Sequence, residues 1–320
     1  MRVVSLGSGS SGNALLVEAG PQGRTKLLVD AGLSGSLIHE RLRRLGVHPA
    51  QLQGILVTHE HSDHALSLPL LMKRYSIPII ADARTCKAIE DSLLMGSWRT
   101  DSGALLATPF DNGSATMPGD GLEVLGTQES REILLNAEAI GRMQHFPVGT
   151  CRSIGDIEVI SFPISHDAVA PCGYLLTAGG CRVCIVTDSG EVTPEMLMHI
   201  EKADLLILEA NHDRERLIRG PYPQMLKQRI LSSSGHLSND QAADAVLRTW
   251  RADSVRWLWL AHLSRTNNTP SLALKSVRAR LQAAGANLAH IHISTLPPGM
   301  GSVWDSTQMW HAESLWEMSS

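Results

Sequence analysis

Cysteine is scarce in this chain. Its five residues, Cys86, Cys151, Cys172, Cys181 and Cys184, are an odd number in a sequence of 320. That argues against a disulfide framework and for a reducing compartment, which makes the cytoplasm the expected location. Cys181 and Cys184 form a C-x-x-C, yet no second pair accompanies them. They lie in GYLLTAGGCRVCIVTD, which reads as a strand hairpin before it reads as a redox or metal motif. A long apolar run is missing too. No stretch approaches the ~18 residues of a membrane span, and MRVVSLGSGSSGN reaches its glycines before any signal-like segment develops. Basic charge is not in surplus: Lys and Arg number 28 against 32 Asp and Glu, a net charge of −4. A nucleic-acid partner therefore needs a local basic patch. What remains, 43% hydrophobic and 19% charged residues, is an ordinary globular composition. The length suits one large domain or two small ones, burying roughly three-quarters of the unfolded surface.

Strand and helix signals alternate in both halves. RVVSL, NALLVEA and TKLLVDAG read as strands, with PQG as a turn. SGSLIHERLRRLG reads as a helix capped by Ser34 or Ser36, with Leu37, Ile38, Leu42 and Leu45 as its apolar stripe. GILVTH is a buried strand, ALSLPLLMKRYS a helix and IPIIAD a strand. Residues 92–150 are rich in Gly, Ser, Thr and Pro and read as an irregular insertion. Order resumes with GDIEVISFPISH, the cysteine hairpin, the helix TPEMLMHIEKA and the strand DLLILEA. The helices SNDQAADAVLRTW and PSLALKSVRARLQAAG flank VRWLWLAH, and LAHIHIS is the last strand. The pattern predicts a mixed α/β (α+β) protein, one domain over 1–296, followed by a tail over 297–320 that carries Trp304, Trp310 and Trp316.

The densest chemistry is VTHEHSDHAL, residues 57–66, which places His59, His61 and His64 around Asp63 directly after a buried strand. Imidazole and carboxylate suit Zn²⁺, Mn²⁺ or Fe²⁺, and the lack of nearby thiols argues against a structural zinc knuckle. His59 and His61 are two apart, so an extended chain points both the same way. Asp63 and His64 at the following helix entrance can reach a second ion. More ligands should close other apolar runs: His166 after VISFPISH, Asp188 after VCIVTD and His262 after RWLWLAH. His59, His61 and His166 would hold one ion, Asp63, His64 and His262 the other, with Asp188 bridging.

These motifs resemble the metallo-β-lactamase superfamily from Val3 to about Ser294. The resemblance implies two facing sheets with outer helices, an αββα four-layer sandwich, and makes Asp30 in LLVDAG a structural acid near the metal loop. LGSGSSGN, VDAGLSG, VTHEHSDH, SHDAVAPCGY, TDSG, LEANHD, RILSSSGHLSN and LAHLSRTNNTP are similar to the WalJ/YycJ-type group, which implies a metal-dependent 5′→3′ DNA exonuclease with two divalent ions. Residues 92–150 and the tail depart from that pattern and bear on substrate fit. The resemblance also gives Glu209 and His236 the part of a proton-donating pair, as in tRNA 3′-processing nucleases. His212 is a weaker site residue.

LGSGSSGN lacks the Lys-Ser/Thr ending of a phosphate loop and precedes a strand, so a tight turn approaching the metal floor is expected. The chain between Asp188 and His262 is too short for the additional domain of larger nucleases of the superfamily. Loops must then grip the substrate. DRERLIRGPYPQMLKQR offers Arg214, Arg216, Arg219, Lys227 and Arg229; SRTNNTP adds Arg265, Asn267 and Asn268. A solvated charged helix is the alternative for the first segment. The expected chemistry is phosphodiester hydrolysis by metal-activated hydroxide, with Asp63 orienting the water and His236 protonating the leaving oxygen. DNA is favoured over RNA. A small-substrate hydrolase (cyclic phosphodiesterase, lactonase or thioesterase) and an RNA-processing nuclease stay open. A redox di-iron protein would carry an acid where His61 stands.

Overall fold

The computed structural model describes residues 1–95, 97–100, 105–107, 142–252, 254–307 and 309. Among them, strands and helices follow in two runs. The first run is β1 (Arg2–Gly7), β2 (Ala14–Ala19), β3 (Thr25–Val29), α1 (Gly35–Arg44), β4 (Gly54–Leu56), α2 (Ser62–Ala65), α3 (Leu68–Tyr75), β5 (Ile79–Ala81), α4 (Ala83–Met95), β6 (Ser97–Arg99), β7 (Leu105–Ala107) and β8 (Met143–His145). The second is β9 (Cys151–Ile154), β10 (Ile157–Pro163), β11 (Cys172–Ala178), β12 (Cys181–Val186), α5 (Pro194–Ile200), β13 (Leu205–Glu209), α6 (Arg214–Arg219), α7 (Gln224–Ile230), α8 (Asn239–Arg248), β14 (Arg256–Ala261), α9 (Pro270–Ala283) and β15 (Ile291–Thr295). β16 (Val303–Asp305) then returns to the first sheet.

The strands form two seven-stranded sheets, ordered β16-β1-β2-β3-β4-β5-β8 and β15-β14-β13-β12-β11-β10-β9. Each is antiparallel on one side and parallel on the other: β3-β4-β5-β8 and β12-β13-β14-β15 run parallel. Alternation along the strands divides the apolar side chains between three cores. Val3, Leu15, Val17 and Leu27 meet Val159, Tyr174, Val183 and Ile207 between the sheets. Val4, Leu16 and Leu28 pack under Ile38 and Leu42 of α1 and Leu71 of α3. Leu206, Leu208 and Leu258 pack under Met196 of α5, Val246 of α8 and Val277 of α9. These are the αββα layers. Strands such as LLILE are buried along their whole length, which is why they read as continuous apolar runs.

The reading of residues 92–150 changes. Within residues 92–150, the described segments include regular structure: β6 and β7 pair as a hairpin, and β8 joins the first sheet beside β5. Residues 108–141 lie outside the described residues. The described part of the tail after Pro297 packs onto the domain. Val303–Asp305 pairs antiparallel with β1, and Trp304 is fully buried between the sheets, 6.2 Å from the Trp257 ring. One large indole supplies what three residues of strand pairing could not. Trp310 and Trp316 lie outside the described residues. Among the described residues, no helix is long and apolar enough to cross a membrane.

Candidate metal centre

Chain ends of both sheets converge on one buried cluster. β4 leads into His59, His61 and, at the start of α2, Asp63 and His64. The second sheet supplies His166 after β10, Asp188 after β12 and His262 after β14. His59, His61 and His166 bring one potential ligand atom each to within 4.8 Å of one another, and so do Asp63, His64 and His262. His59, His64 and Asp188 meet the same limit, which puts Asp188 between the two sets. Asp188 Oδ2 lies 3.0 Å from His64 Nε2, and Asp188 Oδ1 lies 2.8 Å from His262 Nδ1.

Neighbours fix how each ring is presented. Asp30 follows β3 at φ 60 and is buried. It accepts the Thr58 N–H at 2.9 Å and bonds His64 Nδ1 at 2.8 Å, which turns His64 Nε2 toward the cluster. Thr58 Oγ1 is 3.0 Å from His59 Nδ1, and His166 Nδ1 donates to the Gly235 carbonyl at 3.1 Å. His262 itself sits at φ 53, a strained backbone held where its side chain is needed.

The residues fit a divalent cation. Among the described residues, His59 Nε2 and Asp63 Oδ1 are buried with no hydrogen-bond partner, a cost that an ion would remove. Burial pushes the pKa of His59 well below the ordinary value, and the neighbouring His64, His61 and His166 push the same way, so the ring is neutral as a ligand must be. Burial also opposes charge on His64 and His262, but the carboxylates around them outweigh it. Asp30, Asp188 and Asp63 hold the His64 pKa well above its usual range, and Asp188, Asp63 and Glu209 do so for His262. Burial likewise opposes ionisation of Asp188, yet His262 and His64 keep it well below the ordinary carboxylate range. The centre thus demands positive charge.

Beside the cluster, Glu209 ends β13 with no exposure. Its Oε2 accepts the Ser189 N–H at 2.8 Å and the Leu237 N–H at 3.1 Å. Its Oε1 accepts from His236 Nδ1 at 2.7 Å and lies 3.1 Å from His262 Nδ1. One carboxylate therefore orients both His236 and His262. The His236 ring is 5.2 Å from that of His166 and 5.5 Å from that of His262. His212 is buried below this loop, its backbone bridged to Ser238, and it belongs to none of the ligand groups found. Burial lowers its pKa to about 4, so it stays neutral.

The residues expected to touch substrate divide. Arg214, Arg216 and Arg219 are exposed on α6; Arg216 Nε donates to the Thr266 carbonyl at 2.9 Å and Arg219 pairs with Glu215 at 3.1 Å. Lys227 donates to the Ile218 carbonyl at 2.7 Å, and Arg265 reaches Ser11 Oγ at 2.9 Å. Arg229 turns inward onto Asp167. Asn267 and Asn268 do not fit the expectation of phosphate or base contacts: they are 1% and 2% exposed. Asn268 spends its amide on the carbonyls of Ala210 and Asn211 and on Asn239.

Sequence reasoning did not single out Asn13 and Ser8. The glycine-rich loop between β1 and β2 lies against both halves of the centre. Asn13 N–H donates to the Asp63 carbonyl at 2.8 Å, Asn13 Nδ2 is 3.0 Å from His64 Nε2, and Ser8 Oγ accepts the His262 N–H at 2.9 Å. A Cβ on Gly12 of this loop would stand 2.5 Å from the Gly32 carbonyl oxygen, and one on Gly32, after β3, would stand 1.6 Å from the Asp63 carbonyl oxygen. The only signal for this was the Ser/Gly/Asn wording itself.

Comparison with known proteins now adds to the geometry. The family model described as metallo-beta-lactamase superfamily matches residues 7–219. Exodeoxyribonuclease WalJ of Streptococcus pneumoniae is 36% identical over 268 residues, 84% of this chain and 83% of that protein. Exodeoxyribonuclease YycJ of Bacillus anthracis is 35% identical over 280 residues, 88% of this chain and 89% of its own length. Among solved structures, the metallo-beta-lactamase fold protein YhfI from Bacillus subtilis aligns with a TM-score of 0.60 at 16% identity, over 95% of this chain and 98% of that one. That last likeness is one of fold.

Proposed function

Because the chain belongs to the metallo-β-lactamase superfamily, we propose that it is a metal-dependent phosphodiesterase, a DNA exonuclease working 5′→3′ from a dinuclear centre. The observation that carries this reading is the pairing of two ligand clusters around Asp188 with the His236–Glu209 couple beside them. The relatives named exodeoxyribonuclease span most of the chain and support DNA as the substrate.

In this reading His59, His61 and His166 hold one ion, and Asp63, His64 and His262 hold the other, with Asp188 shared. Zn²⁺, Mn²⁺ and Fe²⁺ all suit such donors. When bound, the ions supply Lewis acidity: they make water a nucleophile near neutral pH and neutralise charge on the phosphoryl oxygens. The chain does the rest. Asp63 orients the attacking water with a carboxylate that also serves as ligand. Glu209 holds His236 Nδ1–H, so His236 carries the proton for the departing oxygen on Nε2. The exposed arginines of α6 line the path of the strand and neutralise its phosphates. A single catalytic unit running through β16 carries the whole activity. The five free cysteines fit work in the cytoplasm.

The test is a digestion panel with Mn²⁺ or Zn²⁺: duplex DNA, single-stranded DNA, RNA, a simple phosphodiester and a lactone. DNA is degraded from its 5′ end, and Asp63→Ala abolishes this while its circular dichroism stays native. Cleavage of the lactone or simple ester alone overturns the reading, as does full nuclease activity in folded Asp63→Ala.

A further inference from the structure

Glu60 stands between two of the clustered histidines, His59 and His61, yet it belongs to none of the ligand groups found among the described residues. It is 6% exposed. Its Oε1 accepts the Val169 N–H at 2.9 Å, and its Oε2 is buried with no hydrogen-bond partner among the described residues. A buried carboxylate with one oxygen bonded and the other orphaned is costly to the fold. An apolar side chain of the same length would pack there at less cost. The acid is therefore explained by what its one bond holds in place.

Val169 lies on the loop between β10 and β11, three residues beyond His166. The base of that loop is closed by the Ile164 N–H, which donates to the Pro171 carbonyl at 3.3 Å. From there β11 runs against the chain that leads into His59. Tyr174 Oη donates to the Val57 carbonyl at 2.7 Å, and the Cys172 N–H donates to the Thr58 carbonyl at 3.1 Å. Partners advance along the two segments in opposite directions: Val57 with Tyr174, Thr58 with Cys172, Glu60 with Val169. The first two bonds use main-chain carbonyls, and at Glu60 a side chain extends the series to the loop of His166. A carboxylate accepting a main-chain N–H makes a strong, charge-assisted bond. On its other side the same loop is held by Arg229 on Asp167 and by His166 Nδ1 on the Gly235 carbonyl.

We propose that Glu60 is a positioning residue that sets His166 against His59 and His61, and so governs ion binding in that set and not in the other. This rests on the two-ion reading and deepens it. The set of Asp63, His64 and His262 has its own supports: Asp30 on His64, Asn13 on the Asp63 carbonyl and Ser8 on the His262 N–H. The Glu60 bond goes to the His166 loop and to none of these.

The experiment titrates the metal-free full chain with Co²⁺, followed by visible absorption and by isothermal titration calorimetry. The native chain is compared with Glu60→Met, which keeps the length without an acceptor, and with Glu60→Gln, which keeps an oxygen for the Val169 N–H. His166→Ala and Asp63→Ala each delete a ligand of one set and so identify the two signals. Native protein binds two ions. Glu60→Met loses about 10–100-fold in affinity for the ion that His166→Ala loses, and holds the ion that Asp63→Ala loses as the native chain does. Glu60→Gln binds both as the native chain does. Without metal, Glu60→Met melts no lower than native protein. A purely structural Glu60 would lower that melting temperature and weaken both ions alike, which overturns the proposal, as does native affinity for both ions in Glu60→Met. Glu60→Gln as weak as Glu60→Met overturns it too, because the charge and not the bond is then what counts. Should Glu60→Met not fold, Glu60→Ala takes its place; if neither folds, Glu60 serves the fold and the proposal falls. Native protein that binds fewer than two ions overturns the two-ion reading, and the proposal with it.

Discussion

Glu209 and His236 show how much one buried carboxylate decides. With both oxygens of Glu209 occupied by backbone N–H groups and imidazoles, His236 cannot turn over without breaking its 2.7 Å bond. Replacing His236 by Ala should lower kcat by roughly 10²–10⁴-fold, the range for a general acid. Metal content by elemental analysis should stay unchanged. That second measurement matters because His236 also lies close to Asp188, Glu209 and His262; loss of an ion from His236→Ala would make it a ligand instead. The convergence of His59, His61, Asp63, His64, His166, Asp188 and His262 was legible because a polar residue closing a buried apolar strand is conspicuous. Asp167 was not. It stands beside His166 in sequence, but its partner Arg229 is 62 positions away, and no spacing rule reaches that far.

At the scale of elements, the loop Ser8–Asn13 acts as a clasp. It bonds the backbone of Asp63 on one side and of His262 on the other. Its glycines suggested only a tight turn, and Gly9 and Gly12 do adopt φ 133 and 138. What the wording could not convey is that the Asn13 side chain, 3% exposed, accepts the Gly9 N–H at 2.9 Å and donates to the Asp63 carbonyl at 3.3 Å, fixing the backbone from which Asp63 and His64 project. Asn13→Ala should therefore weaken metal binding by roughly 10–100-fold, as loss of an outer partner does elsewhere. Isothermal titration with Zn²⁺ checks this. Unchanged affinity would reduce the clasp to a packing detail. Helices with a clear apolar stripe, α1, α8 and α9, were readable from period alone. β16 was not, because three residues have no period.

For the whole molecule, the clustered side chains come from two sheets whose facing sides pack mainly through apolar contact. His59, His61, Asp63 and His64 follow β4 of the first sheet, while His166, Asp188 and His262 follow strands of the second. Ions bound there join the halves, so chelation should lower Tm by roughly 10 °C, with recovery on adding Mn²⁺ or Zn²⁺. Differential scanning fluorimetry with EDTA reads this; an unmoved Tm would mean that the halves hold together without the metal. The fold class was legible because both halves alternate strands and helices. The pairing of β16 was not, since it joins chain about 300 positions apart. That pairing has a use beyond stability. β1 is an apolar strand that without a neighbour would offer its outer row of N–H and C=O groups to any passing chain. β16 occupies that row along Arg2–Val4 and ends at once, too short to serve as a template in its turn. The last described strand thus closes that stretch of β1 to other copies, and a chain cut before Val303 should gain a tendency to self-associate, read as a larger mass in analytical ultracentrifugation.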